Sequence, residues 1–178
     1  MNRIRQMCVW LGRLPHSRGF GVQSPTDYRF VRYVINESWP YYAYKTLGKK
    51  DHWLRKKLGK LYFRVANHLQ PQYIVDGIGV ESYLRAACPK ATISNKLPEK
   101  DEQPSPLLIL APIQTEYQQL LDYCGENTIL VLENINQHQP LWHCIEYDRR
   151  TSVTFDLYYC GIVLFDKKRS TNNYKVNF

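Results

Sequence analysis

No apolar run in this sequence approaches the roughly 20 residues that a membrane-spanning helix needs, so an integral helical membrane protein is excluded. The apolar stretch Met7–Leu11 follows Arg3 and Arg5 but is shorter than a signal-peptide core, and Gly12-Arg13 interrupts it; it reads as a short amphipathic helix. No Cys-x-x-Cys spacing occurs among the five cysteines, Cys8, Cys88, Cys124, Cys144 and Cys160. An odd number without that spacing points to reduced, mostly buried thiols and a cytoplasmic protein, not to a disulfide framework. Internal repeats are absent. Acidic residues are scarce in the first part of the chain: residues 1–64 carry fourteen Lys/Arg against three acids, Asp27, Glu37 and Asp51. The remaining 114 residues carry ten against thirteen. Such a basic section could attract a polyanion such as RNA, yet solvated helix faces account for it more simply.

What is present suits a folded chain. Its 178 residues are 44% hydrophobic and 13% aromatic, enough for one domain with a real core. A Gly- and Ser-rich loop over residues 14–24 runs into a helix start, with Ser24 as N-cap, Pro25 at the first helical position and Asp27 at the third. Phe30, Val31, Val34 and Ile35 follow as an apolar stripe that Trp39-Pro40 ends. A second helix spans about residues 50–69. Leu54, Leu58, Leu61, Tyr62, Val65 and Leu69 form its apolar face, and Arg55, Lys56, Lys57, Lys60 and Arg64 fall mostly elsewhere. Residues 1–70 are therefore a helical extension, and residues 71–178 the sheet-containing part of one structural domain.

From Gln72 onward short apolar strands alternate with helices. Strands are expected over 73–75, 91–94, 107–110 and 128–132, and helices over 80–88, 115–124 and near 140–147. This pattern predicts an α/β fold, a mainly parallel sheet covered on both faces. Residues 151–157 and 161–166 have no helix between them and should pair as an antiparallel hairpin. The charged, proline-rich stretch 97–106 reads as a loop. The tail after Lys167 is polar, and Tyr174, Val176 and Phe178 are the residues through which it could dock.

The most informative stretch is Pro71–Ala87. It reads as a strand ending in Asp76, a turn holding Gly77 and Gly79, then a helix. An acid at a strand end, glycines that allow close approach and a helix start are how α/β proteins build a nucleotide-type cofactor pocket. Further pieces accompany it: His16-Ser17 with Gly19-Phe-Gly21, Ser24-Pro25, Tyr41 to Tyr44, Gly59-Lys-Leu-Tyr-Phe63, and Thr154-Phe-Asp-Leu-Tyr-Tyr-Cys-Gly-Ile-Val163. On these residues the chain resembles the class I S-adenosylmethionine-dependent methyltransferases, and within them a group of small bacterial methyltransferase-like proteins. The resemblance covers nearly the whole chain and implies a Rossmann-like methyltransferase fold.

The resemblance assigns S-adenosylmethionine to Asp76, Gly77 and Gly79 at its methionine end and to Asn95 at its ribose. Glu133, Asn134, Tyr41 and Tyr44 would face a small-molecule methyl acceptor. Three departures stand beside it. Gly77 directly follows Asp76, and Glu81 or Ser82 stands where a later glycine is expected. Asn95 replaces the ribose-binding acid and is a weaker acceptor than a carboxylate. About ten loop-like residues separate the second strand from the next, so the family's strand three and its helix are missing, and the next strand ends in Ala111-Pro112, not in an acid. Glu133-Asn134 offers oxygen ligands of the Mg²⁺-binding type, but Ala111 occupies the position of the partner acid and no metal is expected. His138, His143 and Cys144 do not share a helix face at metal-ligand spacing, and His16-Ser17 lacks an orienting third group. The expectation is a methyltransferase-like protein with weakened or lost catalysis. The alternatives are an active small-molecule O-methyltransferase, and a binding module that meets RNA or protein through its basic N-terminal helices.

Overall fold

The computed structural model describes residues 3–99 and 104–178; residues 100–103 of the proline-rich loop lie outside it. Seven strands form one sheet in the order β2-β1-β3-β4-β6-β5-β7. They are β1 (Tyr73–Asp76), β2 (Thr92–Ser94), β3 (Leu107–Pro112), β4 (Thr128–Glu133), β5 (Val153–Asp156), β6 (Cys160–Leu164) and β7 (Asn172–Lys175). β1 pairs parallel with β2 and β3, and β3 with β4. β6 runs antiparallel to both β4 and β5, while β7 joins β5 in parallel. β6 alone is therefore reversed. The fold is α/β, with a mostly parallel sheet and an antiparallel pair toward its C-terminal end.

The helices are α1 (Arg3–Gly12), α2 (Pro25–Phe30), α3 (Trp53–Leu69), α4 (Glu81–Ala87), α5 (Tyr117–Asp122) and α6 (Gln139–Glu146). The strands are apolar at consecutive positions because both sheet faces are covered. Leu108 and Leu110 of β3 join a cluster with Val31 from the turn after α2, Leu61 and Val65 from α3, and Leu84 from α4. Leu107 and Ile109 point the other way, into a cluster with Leu120, Trp142 and Ile145 from α5 and α6. The N-terminal helices thus share a core with the strands.

Local signals explain the helix ends. Ser24 Oγ accepts from the Asp27 amide at 3.3 Å, as an N-cap should. The Asp27 carboxylate turns inward instead of back to the cap. It is 1% exposed and accepts from Arg169 (3.0 Å) and the Tyr174 hydroxyl (3.1 Å), tying α2 to β7. α2 widens into a π turn over Val31–Ile35. The carbonyls of Val34 and Ile35 are taken by the buried Arg64 of α3 at 2.6 and 2.7 Å, which satisfies helix-end acceptors and places a cation at the negative pole. The sequence reads β7 as a polar tail that docks through Tyr174, Val176 and Phe178, without a strand. Its Tyr174 ring stacks on Phe155 at 5.6 Å, and its backbone pairs with β5.

Among the described residues no helix is long and apolar enough to cross a membrane. The five thiols are unpaired; Cys8 and Cys144 are exposed, and Cys88 and Cys160 are buried. Burial pushes the thiols of Cys88, Cys124 and Cys160 above the ordinary range, and the thiolate is the reactive form. Brief iodoacetamide treatment of the native protein is therefore expected to label Cys8 and Cys144, and the other three only after denaturation. Mass mapping checks this, and native labelling of Cys160 at the rate of Cys144 would contradict the packing.

Candidate functional site

Six strands run in one direction, so their carboxyl ends share an edge, and ligand crevices of open α/β sheets lie at that edge. Three carboxylates stand along it: Asp76 at the end of β1, Glu133 at the end of β4 and Asp156 at the end of β5. Each is already engaged.

Asp76 is buried and turns back on its own loop. Its carboxylate accepts from the amides of Ile78 (3.3 Å) and Val80 (2.7 Å), the second being the residue before α4. The aspartate thus caps the turn that was expected to hold a cofactor. Gly77 has a packing reason to be glycine: its amide donates to the Leu110 carbonyl at 2.8 Å, and a Cβ there would lie 2.9 Å from that oxygen. Gly79 holds φ at +72°, a left-handed conformation that glycine adopts without strain. The turn therefore needs both glycines to lie against β3 and enter α4. Across it lies Arg55 of α3, whose Nη2 donates to the carbonyls of Ile78 (2.6 Å) and Gly79 (2.8 Å).

Glu133 accepts a 2.6 Å bond from the Tyr62 hydroxyl, and Arg55 Nη1 stands 3.6 Å from the same oxygen. Tyr62 is fully buried. Burial first, then the Cys160 thiol and the Glu133 carboxylate, hold its phenol well above the ordinary value. It stays protonated and donates, and so cannot serve as a base. Asn134 follows with φ +66°, tolerated by asparagine, and its amide donates to the Tyr159 carbonyl at 2.8 Å, linking β4 to the β5–β6 turn.

Asp156 is 3% exposed and held by Arg13. Nη2 of that arginine donates to both carboxylate oxygens at 2.9 and 2.8 Å, and Nη1 to the Asp156 carbonyl at 2.8 Å. The N-terminal helical section thus sends Arg13, Arg55 and Tyr62 onto the carboxyl edge of the sheet. Sequence reasoning placed Arg55 on the solvent side of α3 and assigned no role to Arg13 or Asp156. The readable signal was spacing: Arg55 and Tyr62 are seven residues apart, two helical turns, and therefore share a face.

Of the expected site residues, the structure brings Asp76, Gly77 and Gly79 into one turn, with Glu133 bridged to it through Arg55. Asn95 is exposed beyond the end of β2. Tyr41 and Tyr44 lie elsewhere, edge-on to Phe63 of α3 at 5.0 and 5.2 Å. Tyr41 donates to Glu37 at 2.7 Å and Tyr44 to the Lys60 carbonyl at 3.2 Å. Burial and then Glu37 push the Tyr41 phenol up to about 12. Both line a cavity of about 420 Å³ bordered by Lys60 and Arg64, not by Glu133. His138 meets Gln114, and His143 meets Glu146 at 2.7 Å; among the described residues no group of three or more His, Cys, Asp or Glu could hold a metal.

A cavity of about 640 Å³ opens between α1, the start of α3 and the β5–β6 turn. It lies near the Asp156 end of the carboxyl edge. Neither it nor the three other cavities described for this protein is lined by Asp76, Gly77, Gly79 or Asn95. Comparison with known proteins adds no relative: no family model matches the chain, no curated protein matches it, and no solved structure matches it.

Proposed function

We propose that this chain is a catalytically silent relative of the class I S-adenosylmethionine-dependent methyltransferases, kept as a cytoplasmic binding module. The reading is supported by the mostly parallel sheet, the glycine turn after β1 and the antiparallel pair near the end, together with the sequence pieces that resemble the family. It is also supported by the edge position of β2, which among the described residues pairs with β1 alone and so leaves no strand three. The single observation that carries the loss of activity is Arg55, lying 2.6 and 2.8 Å from the carbonyls of the glycine turn. Its guanidinium holds two carbonyls of the loop that a cofactor would contact, and the Asp76 carboxylate is spent on that loop's own amides.

A methyl transfer also needs an acceptor held in line with the sulfonium and, for a hydroxyl acceptor, a base. Glu133 is engaged by Tyr62 and Arg55, and the Tyr62 phenol is held protonated. A charge-assisted hydrogen bond contributes about 1.5–3 kcal/mol. Losing the ribose acid and the free Asp76 carboxylate together corresponds to a hundredfold or more in affinity, at roughly tenfold per 1.4 kcal/mol.

The test is a calorimetric titration of the full chain with S-adenosylmethionine. No heat at millimolar cofactor is expected. Micromolar binding would overturn the reading and favour an active O-methyltransferase with its acceptor at Glu133-Asn134. A face that tracks nucleic-acid phosphates is the less favoured form of binding module, because Arg13, Arg55 and Arg64 point inward onto Asp156, the glycine turn and the end of α2.

A further inference from the structure

We infer that the 640 Å³ cavity between α1, α3 and the β5–β6 turn, with the smaller cavity that meets it at Lys57, binds a planar aromatic carboxylate. Small-molecule sites usually occupy about 300–1,000 Å³ and combine apolar walls with a few converging polar groups. This cavity has that size and its walls include Trp10, Trp53, Tyr158 and Phe178. Trp10 and Trp53 are each 49% exposed, so aromatic residues are open to a ring. Lys57 marks the polar end. Its ammonium lies over the Phe178 ring at 4.6 Å and the Trp53 ring at 5.2 Å. Among the described residues no carboxylate lies within 4.0 Å of it. Burial, reinforced by Arg64, holds the ammonium below its ordinary pKa, as expected of a cation drawn out of water without a counter-ion.

A second cavity of about 230 Å³ shares Lys57 and Phe178 with the first, and adds Lys60, Arg64 and Asn36. The Asn36 Nδ2 is buried and has no hydrogen-bond partner, which is costly unless something accepts from it. Two donors, the Lys57 ammonium and this amide, therefore border one space and lack an acceptor. Four cations and one carboxylate side chain, Glu37, line the two cavities. Arg13 is neutralised by Asp156, Arg64 is spent on carbonyls, and Glu37 accepts from Tyr41. The remaining field is positive. A cationic ligand is repelled, and a neutral arene leaves Lys57 and Asn36 unpaired. A ring among the indoles with its carboxylate at Lys57 pairs that ammonium, at the residue the two cavities share. The site does not involve Asp76 or the glycine turn, so it stands or falls separately from the cofactor reading.

The test uses the full chain and three probes of one shape: 2-naphthoate, the neutral 2-naphthylmethanol and the cationic 2-naphthylmethylammonium. Binding is followed by calorimetry and tryptophan fluorescence. The naphthoate is expected to bind about tenfold more tightly than either analogue, or better. Lys57→Met keeps the apolar stem, and should weaken naphthoate about tenfold while leaving the neutral probe within about twofold. Equal affinity for all three probes, or an unchanged naphthoate Kd in Lys57→Met, overturns the proposal. Should Lys57→Met fail to fold by its melting curve, Asn36→Asp serves instead. Its carboxylate adds a negative charge to the cavity that Lys57 also lines and should lower naphthoate affinity by about tenfold, and an unchanged Kd there is equally fatal.

Discussion

Arg13→Met is expected to destabilise the protein by about 3–5 kcal/mol, the range for breaking a buried ion pair by removing one partner. The arginine closes both oxygens of a carboxylate that is 3% exposed. Methionine keeps the length and apolar stem but no donor, so Asp156 is left with the Tyr158 amide at 2.7 Å. A buried carboxylate with one neutral donor carries most of its desolvation cost uncompensated. The same guanidinium donates to the carbonyl of Asp156 (2.8 Å) and approaches that of Val176 (3.4 Å), so its loss also loosens the connection of α1 to the residues after β7. Urea unfolding measures the change. Adding Asp156→Asn to Arg13→Met should recover at least about 1 kcal/mol, because the buried charge is gone. A loss under about 1 kcal/mol in Arg13→Met, or no recovery in the double variant, would mean that water and not Arg13 satisfies this carboxylate.

That pair shows where the sequence was readable and where it was not. The strands at 73–76, 107–112 and 128–133 could be recognised because each is a short apolar run bounded by turn residues, and the runs alternate with helical periodicity. Apolarity at consecutive positions also foretold cover on both faces, as Leu108 and Ile109 now show by joining opposite clusters. β7 escaped because Asn172–Lys175 is polar and half exposed. Such an edge strand is held by its main-chain bonds to β5, which no local pattern announces, and by the ring of Tyr174, one of the three residues through which the tail is expected to dock. The glycine turn was legible as a turn, but not what holds it. Arg55 meets Ile78 across 23 positions and Tyr62 meets Glu133 across 71. Charge patterning assigns a helical arginine to solvent by default, and only tertiary placement turns Arg55 onto the loop. Asp76 was visible as a strand-end acid in either role; the difference between a cofactor ligand and a turn cap lies in two amide contacts, to Ile78 and Val80.

Gly161→Ala is the second large effect. Gly161 lies in β6, between Leu132 of β4 and Asp156 of β5, and the sequence shows it as the start of the second hairpin strand, within the terminal Tyr-Tyr-Cys-Gly-Ile-Val segment. A Cβ built there would stand 2.3 Å from two ring carbons of Trp142, well inside van der Waals contact. Neither side can give easily. Trp142 of α6 is fully buried among the strands, and β6 is paired on both edges. Overpacking of a tight core generally costs about 1–3 kcal/mol; with a rigid ring on one side and paired backbone on the other, about 3 kcal/mol or more is expected, despite the gain of about 0.5–1 kcal/mol that alanine otherwise has over glycine. The indole Nε1 is itself buried without a partner, so no hydrogen bond anchors the ring to a new position. Trp142→Leu alone leaves a cavity and also destabilises, but it removes the ring atoms that the added methyl group would strike. The two changes are therefore expected to be non-additive, the double variant being more stable than the sum by about 1 kcal/mol or more. Denaturant titration of all four proteins measures the coupling. Strict additivity would mean that the sheet gives way at β6 and that the ring contact does not set the position of α6.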